Sequence, residues 1–340
     1  MKVAIVTNSL TGGGAERAMN LAANALHEAG IEVLLTPINQ GAQDLVKVIP
    51  KTLPLECNSQ RGVFKLVKVI FLFRKYLALE KPDLLFLNCD LPELLGCFTA
   101  FKTRMFVVEH ANPSWSTRQV LGHIIRAFLR FRGATFGAVS DHLSIWPTGN
   151  KPQFILPNLI TLKPQKEIPY SKSPKIQRIV FIGRLALVQK RPDWIIEIAK
   201  QTSISALIIG DGSARNYLQN IVETLKLDVI FVDFQERPWD LINPGDLLVV
   251  PSSFEGDGLV VIEGIMRSMP ILVSDIQDFR RFSFPEVNYC KSVEAFVERL
   301  QLFEENSDAL VVPPEITQQI LATRSPKNVL NSWIKVIYSS

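Results

Sequence analysis

The 340-residue chain is 47% hydrophobic with a formal charge of +4, which is too much apolar material for one ordinary core and suits two α/β domains. Cys57, Cys89, Cys97 and Cys290 show no CxxC spacing, and His27, His110, His123 and His142 form no HxxxH or HExxH pair. These absences exclude the usual zinc patterns and lead to an expectation of reduced thiols, a cytosolic protein and no metal.

The opening "MKVAIVTNSL" is too short an apolar run for a signal peptide and reads as a first buried strand. No window reaches the roughly 18 apolar residues that a spanning helix needs. After "KVAIVT" come a helix over about residues 15–29, Gly30, and the strand "IEVLLTPI", which is a β-α-β unit of a parallel sheet. Further strands are expected at "DLLFLN", "MFVVEH", "TFGAVS" and "QFILPN". Residues 161–175, "TLKPQKEIPYSKSPK", lose the apolar period and read as an interdomain linker. A second series follows: "RIVFIGRL", a helix near residues 192–202, "SALIIGDG", a helix near residues 215–225, "DVIFVDF", "DLLVVPSS", a helix from Leu259, and "PILVSD". Strand, glycine and helix in repetition predict a second doubly wound sheet, with ligands collecting at the carboxyl ends of strands and in a cleft between two facing domains.

Three stretches carry candidate chemistry. "TNSLTGGGAERAMNLA" places glycines between a strand and a helix start, where backbone N–H groups can approach an anion. It lacks the third glycine of a G-x-G-x-x-G fingerprint, since Arg17 stands there, and "LLTPINQ" brings no acidic residue at the end of strand two, so a nicotinamide dinucleotide is disfavoured. In "FIGRLALVQKRPDW", Arg184 follows Gly183 at a strand end and Lys190 comes six residues later, a pair of cations suited to a pyrophosphate. In "SSFEGDGLVVIEG", Gly256 and Gly258 make a turn behind Glu255, and Glu263 falls inside an apolar helix start, where a buried carboxylate asks for a partner such as two vicinal hydroxyls. Each stretch also has a purely structural explanation: a packing turn, a solvated basic loop (preferred for Arg191), and a carboxylate offsetting a helix dipole.

Taken together, the order and spacing of "GGGAER", "VVEH", "GAVSDHL", "ILPNLI", "FIGRL" with "QK", "LIIGDG" and "PSSFEGDGLVVIEG" resemble the retaining, nucleotide-sugar-dependent glycosyltransferases of family four. The resemblance implies the GT-B fold, two facing Rossmann-like α/β domains with parallel sheets. It implies an acceptor-binding domain over residues 1–163, a donor-binding domain over residues 164–325, and a helix over residues 326–340 that crosses back to the first domain. Carried over residue by residue, Arg184 and Lys190 would hold the donor diphosphate and offset leaving-group charge, with Gly183 before them. Glu263 would take the ribose, behind Leu259 and Val260 at the helix start, and Glu255 with the amides of Gly256, Asp257 and Gly258 would meet the transferred sugar. Residues 12–14, including Gly13 and Gly14, would close over the phosphates, and His110 would lie near the sugar and the acceptor. Phe234 stands near the base, where a glycine is frequent, and Asp257 replaces the usual apolar residue between the glycines. The family implies no metal or other cofactor.

The acceptor expected from the resemblance is a saccharide, lipid-linked, in surface polysaccharide or lipopolysaccharide assembly; the donor is a UDP- or GDP-sugar, and no nucleic acid partner is expected. A GT-B nucleotide-sugar epimerase and a non-catalytic nucleotide-sugar-binding subunit are the alternatives. Residues 1–165 hold 18 Lys+Arg against 11 Asp+Glu, whereas the remainder holds 19 against 22, so the basic character belongs to the first half. Two segments there, residues 61–81 with six Lys/Arg and residues 121–133 with Arg126, Arg130 and Arg132, mix cations with apolar residues. They read either as a peripheral face for an anionic cytoplasmic membrane or as core helices with basic outer faces.

Overall fold

The computed structural model describes residues 1–10, 13–39, 63–100, 103–111, 115, 118–160 and 175–339. Outside them lie Gly12, all but Lys175 of the expected linker, Arg61 and the side chain of Lys65. The chain divides into two units, Met1–Ile160 with Thr323–Ser340, and Thr161–Ala322.

The first unit is built on six parallel strands: β1 (Lys2–Thr7), β2 (Glu32–Pro37), β3 (Leu84–Asn88), β4 (Arg104–Glu109), β5 (Thr135–Ala138) and β6 (Phe154–Ile155), in the order β2-β1-β3-β4-β5-β6. β1 and β3 read as unbroken apolar runs because both faces are covered. Helix α1 (Gly14–Glu28) covers one face with Met19, Ala22, Ala23 and Leu26, spaced as a single helical stripe. Helices α2 (Val63–Glu80), α3 (Asp90–Gly96) and α4 (Gln119–Phe131) contribute Phe73, Tyr76, Leu95, Ile125 and Leu129 to the core on the other face. β6 is shorter than "QFILPN" suggests, since Pro157 has no N–H to continue the ladder.

The second unit repeats the plan with β7 (Arg178–Ile182), α5 (Pro192–Thr202), β8 (Ser205–Ile209), α6 (Arg215–Leu225), β9 (Val229–Val232), β10 (Asp246–Val250), α7 (Leu259–Ile265), β11 (Ile271–Ser274), α8 (Gln277–Arg280), β12 (Tyr289–Cys290), α9 (Val293–Phe303) and α10 (Pro314–Ala322). Its sheet is also parallel, in the order β12-β11-β10-β7-β8-β9. Two parallel-sheet α/β domains are therefore present, as the repeating pattern predicts. The chain then re-enters the first unit as α11 (Pro326–Ser339), which packs on α1 and seats Trp333 against Phe86 at 4.9 Å between ring centroids.

Each sheet has one point where the strand order reverses. In the second unit β8 and β10 flank β7, and in the first β2 and β3 flank β1. Connections leave such a pair of strands in opposite directions, so a crevice opens beyond their carboxyl ends.

Candidate active site

The carboxyl ends of β7 and β10 carry most of the residues singled out from sequence. Beyond β7, the backbone of residues 183–185 is pinned from β8. Gly183 N–H donates to Ile209 O at 3.0 Å and Leu185 N–H to Asp211 O at 2.9 Å. Glycine is required at 210, where φ is +141° and a Cβ would stand 2.0 Å from Gly183 O. The "GDG" of this loop thus exists to let two backbones touch. Arg184 projects from the pinned segment, exposed, and makes no ion pair among the described residues.

Lys190 is bonded to Glu255. Its Nζ lies 2.5 Å from Glu255 Oε1, and the Ser252 hydroxyl donates to the same oxygen at 2.7 Å. Glu255 is only 6% exposed, so this carboxylate is a buried, paired group rather than a solvated one. The two loops are stitched further by Ser253, whose N–H donates to Gln189 O at 2.8 Å and whose hydroxyl donates to Val188 O at 2.5 Å. A Cβ at Gly183 would lie 4.0 Å from Lys190 Cδ, which brings the two stretches "FIGRL" and "QK" together. Arg191 is not simply solvated: its guanidinium stacks 4.5 Å over the Trp194 ring, and its φ of +48° starts α5.

The turn behind Glu255 is fixed from α8 and the residue after it. Asp278 Oδ2 accepts from the Glu255 N–H at 2.7 Å, and Arg281 Nη2 donates to Asp257 O at 2.7 Å and to Asp257 Oδ1 at 3.1 Å. Asp257 is 5% exposed; its acid replaces an apolar residue by pairing with Arg281 in the interior. Gly258 has φ +64° and an added Cβ would stand 3.2 Å from Phe279, so glycine is needed on both counts. Gly256 and Gly258 are buried, Leu259 and Val260 half-buried. In α7, Glu263 is buried and its Oε2 takes the Trp239 indole N–H at 2.9 Å. Phe234, just past β9, is largely exposed and its N–H donates to Asp211 Oδ2 at 2.8 Å.

In the first unit, Gly13 caps α1 and Gly14 begins it, at the end of β1, while His110 follows β4 and is half-buried. Glu109 beside it belongs to an internal charge cluster. Arg126 is 1% exposed and bridges two buried carboxylates: Nη2 and Nε meet Glu93 at 2.6 and 2.8 Å, and Nη1 meets Glu109 Oε2 at 2.5 Å. The Trp115 indole adds a bond to Glu93 at 2.9 Å and the Trp146 N–H one to Glu109 at 3.2 Å. Burial pushes the Glu109 carboxyl from its ordinary 4.5 up to about 7; Arg126 pulls it down but shares its charge with Glu93, whose own charge raises it further. Burial alone would lower the Arg126 guanidinium, yet the two carboxylates outweigh this and hold it above its ordinary value.

This cluster corrects the reading of residues 121–133 as a segment with outward cations. Arg126 is internal, and Arg132, 8% exposed, donates to the carbonyls of Gly96, Thr99 and Ala100 at the end of α3. Alongside the polar Gln119 and His123, α4 turns large apolar residues outward: Val120 is 77% exposed, Ile124 63% and Phe131 76%. α2 shows a mixed stripe, with Val67, Phe71 and Leu79 exposed among Lys68, Arg74 and Lys75.

Sequence reasoning missed Ser252, Asp278, Arg281, Trp239 and Glu93, and read Arg126 as an outward cation. Only Ser252 lies within a motif; Trp239 and Asp278 reach their partners across 24 and 23 residues, with no local period to reveal the pairing.

Residues 164–316 match the family described as "Glycosyl transferases group 1". The O-antigen biosynthesis glycosyltransferase WclY of Escherichia coli is 33% identical over 90 residues, which is 26% of each chain, so the chain spans about a quarter of that relative's length. A Campylobacter jejuni protein named GalNAc-alpha-(1->4)-GalNAc-alpha-(1->3)-diNAcBac-PP-undecaprenol alpha-1,4-N-acetyl-D-galactosaminyltransferase is 25% identical over 284 residues, 78% of this chain and 77% of its own. Among solved structures, a mutant of S. aureus TarM in complex with Fondaparinux, alpha-GlcNAc-glycerol and UDP superposes with a TM-score of 0.74 at 13% identity, over 99% of this chain and all of that one. At that identity the likeness shows the fold, GT-B, and no more.

Proposed function

We propose that this chain, whose residues 164–316 match the glycosyl transferases group 1, moves a sugar from a nucleoside diphosphate sugar to a saccharide hydroxyl with retention at the anomeric carbon. The acceptor in this reading is lipid-linked and the product a surface polysaccharide of the O-antigen or lipopolysaccharide kind. The observation that carries it is the grouping at the switch point of the second sheet: Arg184, the Lys190–Glu255 pair and Glu263 on three adjoining segments. Arg184 and Lys190 hold the diphosphate. Lys190 has three N–H donors, so it can keep Glu255 while it reaches a phosphate oxygen. Glu263, oriented by Trp239, accepts from ribose hydroxyls, and the clamped turn of residues 255–258 presents a carboxylate and backbone amides to the sugar. Stabilising the departing diphosphate is then the main catalytic term, and it is supplied by side-chain cations rather than a metal ion. In this reading His110 serves the transferred sugar and the acceptor, and Gly13 and Gly14 at the start of α1 serve the donor phosphates.

The test is a thermal-shift screen with UDP, GDP and their sugars, followed by transfer assays with and without EDTA. Binding to the folded state raises the melting temperature; at least one nucleotide should do so, EDTA should leave transfer unchanged, and R184A with K190A should lower it by roughly 10²-fold or more. A folded sample that answers to no nucleotide sinks the reading.

The outward apolar residues of α4, with the mixed stripe of α2 on the same side of the first sheet, support a peripheral membrane contact as part of this proposal. No helix among the described residues is long and apolar enough to cross a membrane. Sedimentation with anionic phosphatidylglycerol vesicles at low salt should carry the protein down, and I124E with F131E should release it. Protein that stays in the supernatant removes the membrane from the proposal.

A further inference from the structure

The buried charge cluster of the first unit also grips the connection between β5 and β6. Arg126 gives Glu93 two nitrogens, Nε at 2.8 Å and Nη2 at 2.6 Å, and gives Glu109 one, Nη1 at 2.5 Å. That Nη1 also donates to Trp146 O at 2.8 Å, beside Arg130 Nη2 at 3.2 Å, while the Trp146 N–H donates to Glu109 Oε2 at 3.2 Å. Both main-chain polar groups of Trp146 thus end on side chains of α4 and β4. Leu143 and Ile145, just before it, are rooted in the core on the α1 face of the sheet, and residues 148–150 beyond it are exposed. Within residues 145–150 the bonds are local: Ile145 N–H donates to Asn150 O at 2.8 Å and Gly149 N–H to Ile145 O at 2.9 Å. The turn is therefore closed on itself, and α4 and β4 hold it at Trp146.

The charges of this cluster balance only when it holds a proton. With Glu109 protonated, Glu93 and Arg126 form a neutral pair; without that proton, two buried carboxylates share one guanidinium, and an uncompensated charge in an interior is strongly disfavoured. The titratable or charged side chains on the surrounding elements are Asp90 and Glu93 of α3 and His123, Arg126 and Arg130 of α4, with Arg118 before that helix and Arg132 after it. His110 follows Glu109, Cys89 follows β3, and Asp141 and His142 come beyond β5; residues 143–148 bring none. His123 is exposed and sets its ring edge-on to Trp146, with centroids 4.7 Å apart. Relief comes if Trp146 swings off, because Glu109 then meets water. We propose that Glu109, Arg126 and the Trp146 main chain form a proton-sensitive latch, closed over residues 146–150 in acid and released as the solution turns alkaline. The sign follows from linkage. Burial holds the Glu109 proton up to about 7 in the closed form, against an ordinary 4.5 in water, so raising the pH favours whichever form exposes the carboxyl. The latch belongs to the fold and does not depend on the transferase reading; what it adds is a response to pH one residue away from His110.

The test reads the Trp146 amide in the full chain labelled with nitrogen-15 tryptophan, its signal among the five tryptophans identified by its loss in W146F. Hydrogen exchange is compared at about pH 6 and about pH 8.5 after correction for the base-catalysed rate. In wild type the protection of Trp146 should fall about tenfold over that span. Its amide should also exchange faster than that of Trp333, which is buried in the core of the same unit. Exchange at the Trp333 rate under both conditions would mean that Trp146 is exposed only when the whole unit unfolds, and overturns the latch. Protection that does not change with pH overturns it too. E109Q keeps the shape without the titrating proton and should leave Trp146 equally protected at both; a fall as large as in wild type assigns the response to another group, such as His123, and the proposal is lost. Should E109Q fail to fold, E93Q leaves Glu109 as the sole carboxylate on Arg126 and keeps it charged to lower pH. The fall should then vanish from this span, and its persistence would be equally fatal.

Discussion

Lys190 and Glu255 are each other's counter-ion in the free protein, and the residue-scale consequence is that neither can be changed in isolation. Removing the ammonium leaves a 6% exposed carboxylate held by Ser252 alone. K190A should therefore cost about 1–3 kcal/mol in denaturant unfolding, less than a fully buried pair because Lys190 itself keeps a fifth of its side chain in water. E255Q added to K190A should recover part of that loss, and strictly additive losses would show that the pair is not coupled. A second residue-scale effect comes from Glu109. Its carboxyl is raised in the fold, so it binds a proton more tightly folded than unfolded. The stability it contributes is complete below about 4.5 and is lost as pH climbs through about 7. Unfolding free energy should fall between pH 5 and 8 by up to about 3 kcal/mol, with Glu93, Arg126 and Arg130 as the charges that set the size. E109Q should flatten the slope, and an unchanged slope would assign it to other groups. The positions of Lys190, Glu255 and Glu263 were legible in sequence because glycine spacing and apolar context mark them. The groups that hold Glu263, Glu255 and Asp257 were not, because Trp239, Asp278 and Arg281 respectively are brought in by the fold.

At the scale of elements, the turn of residues 255–258 is as ordered as the α8 segment allows. Arg281 holds both the carbonyl and the carboxylate of Asp257, and Asp278 holds the next turn back at Glu255. R281A should speed hydrogen exchange at the Gly256 and Gly258 amides and raise the donor KM several-fold with the overall fold intact. Exchange no faster than wild type would show that the glycine turn holds itself. The departure at Asp257, an acid where the family has an apolar residue, is in the structure an anchor for the turn. Helices α5 and α6 coincide with the residues their periodicity marks, since a single apolar stripe, with Pro192 at the start of α5 and Gly212 just before α6, leaves little choice. α4 was misjudged for a reason that sequence cannot show: a lone buried arginine in a helix looks the same as an exposed one until the carboxylates from α3 and β4 are placed around it.

For the whole molecule, the last helix is a component of the first core. Val329, Trp333, Val336 and Ile337 are buried with α1 and the sheet, and Arg104 donates to Ile337 O at 3.1 Å. W333A should cost about 3–5 kcal/mol, as for other large buried aromatics. Deletion of α11 should leave the first unit unable to fold cooperatively, whereas a cut chain that melts like the full one would make α11 an accessory. Two parallel sheets were readable from strand-glycine-helix repetition, whereas their order of strands was not, and the tail helix over residues 326–340 was implied by the family resemblance.

The return of α11 also sets the order in which the molecule can be completed during synthesis. The second unit is one continuous stretch and can close as soon as α10 has left the ribosome. The first unit, although made first, lacks Trp333 until the final helix emerges, so most of the chain must be translated while the β3 ring of Phe86 waits for its partner. An early stop codon in this protein therefore damages the half that was built earliest.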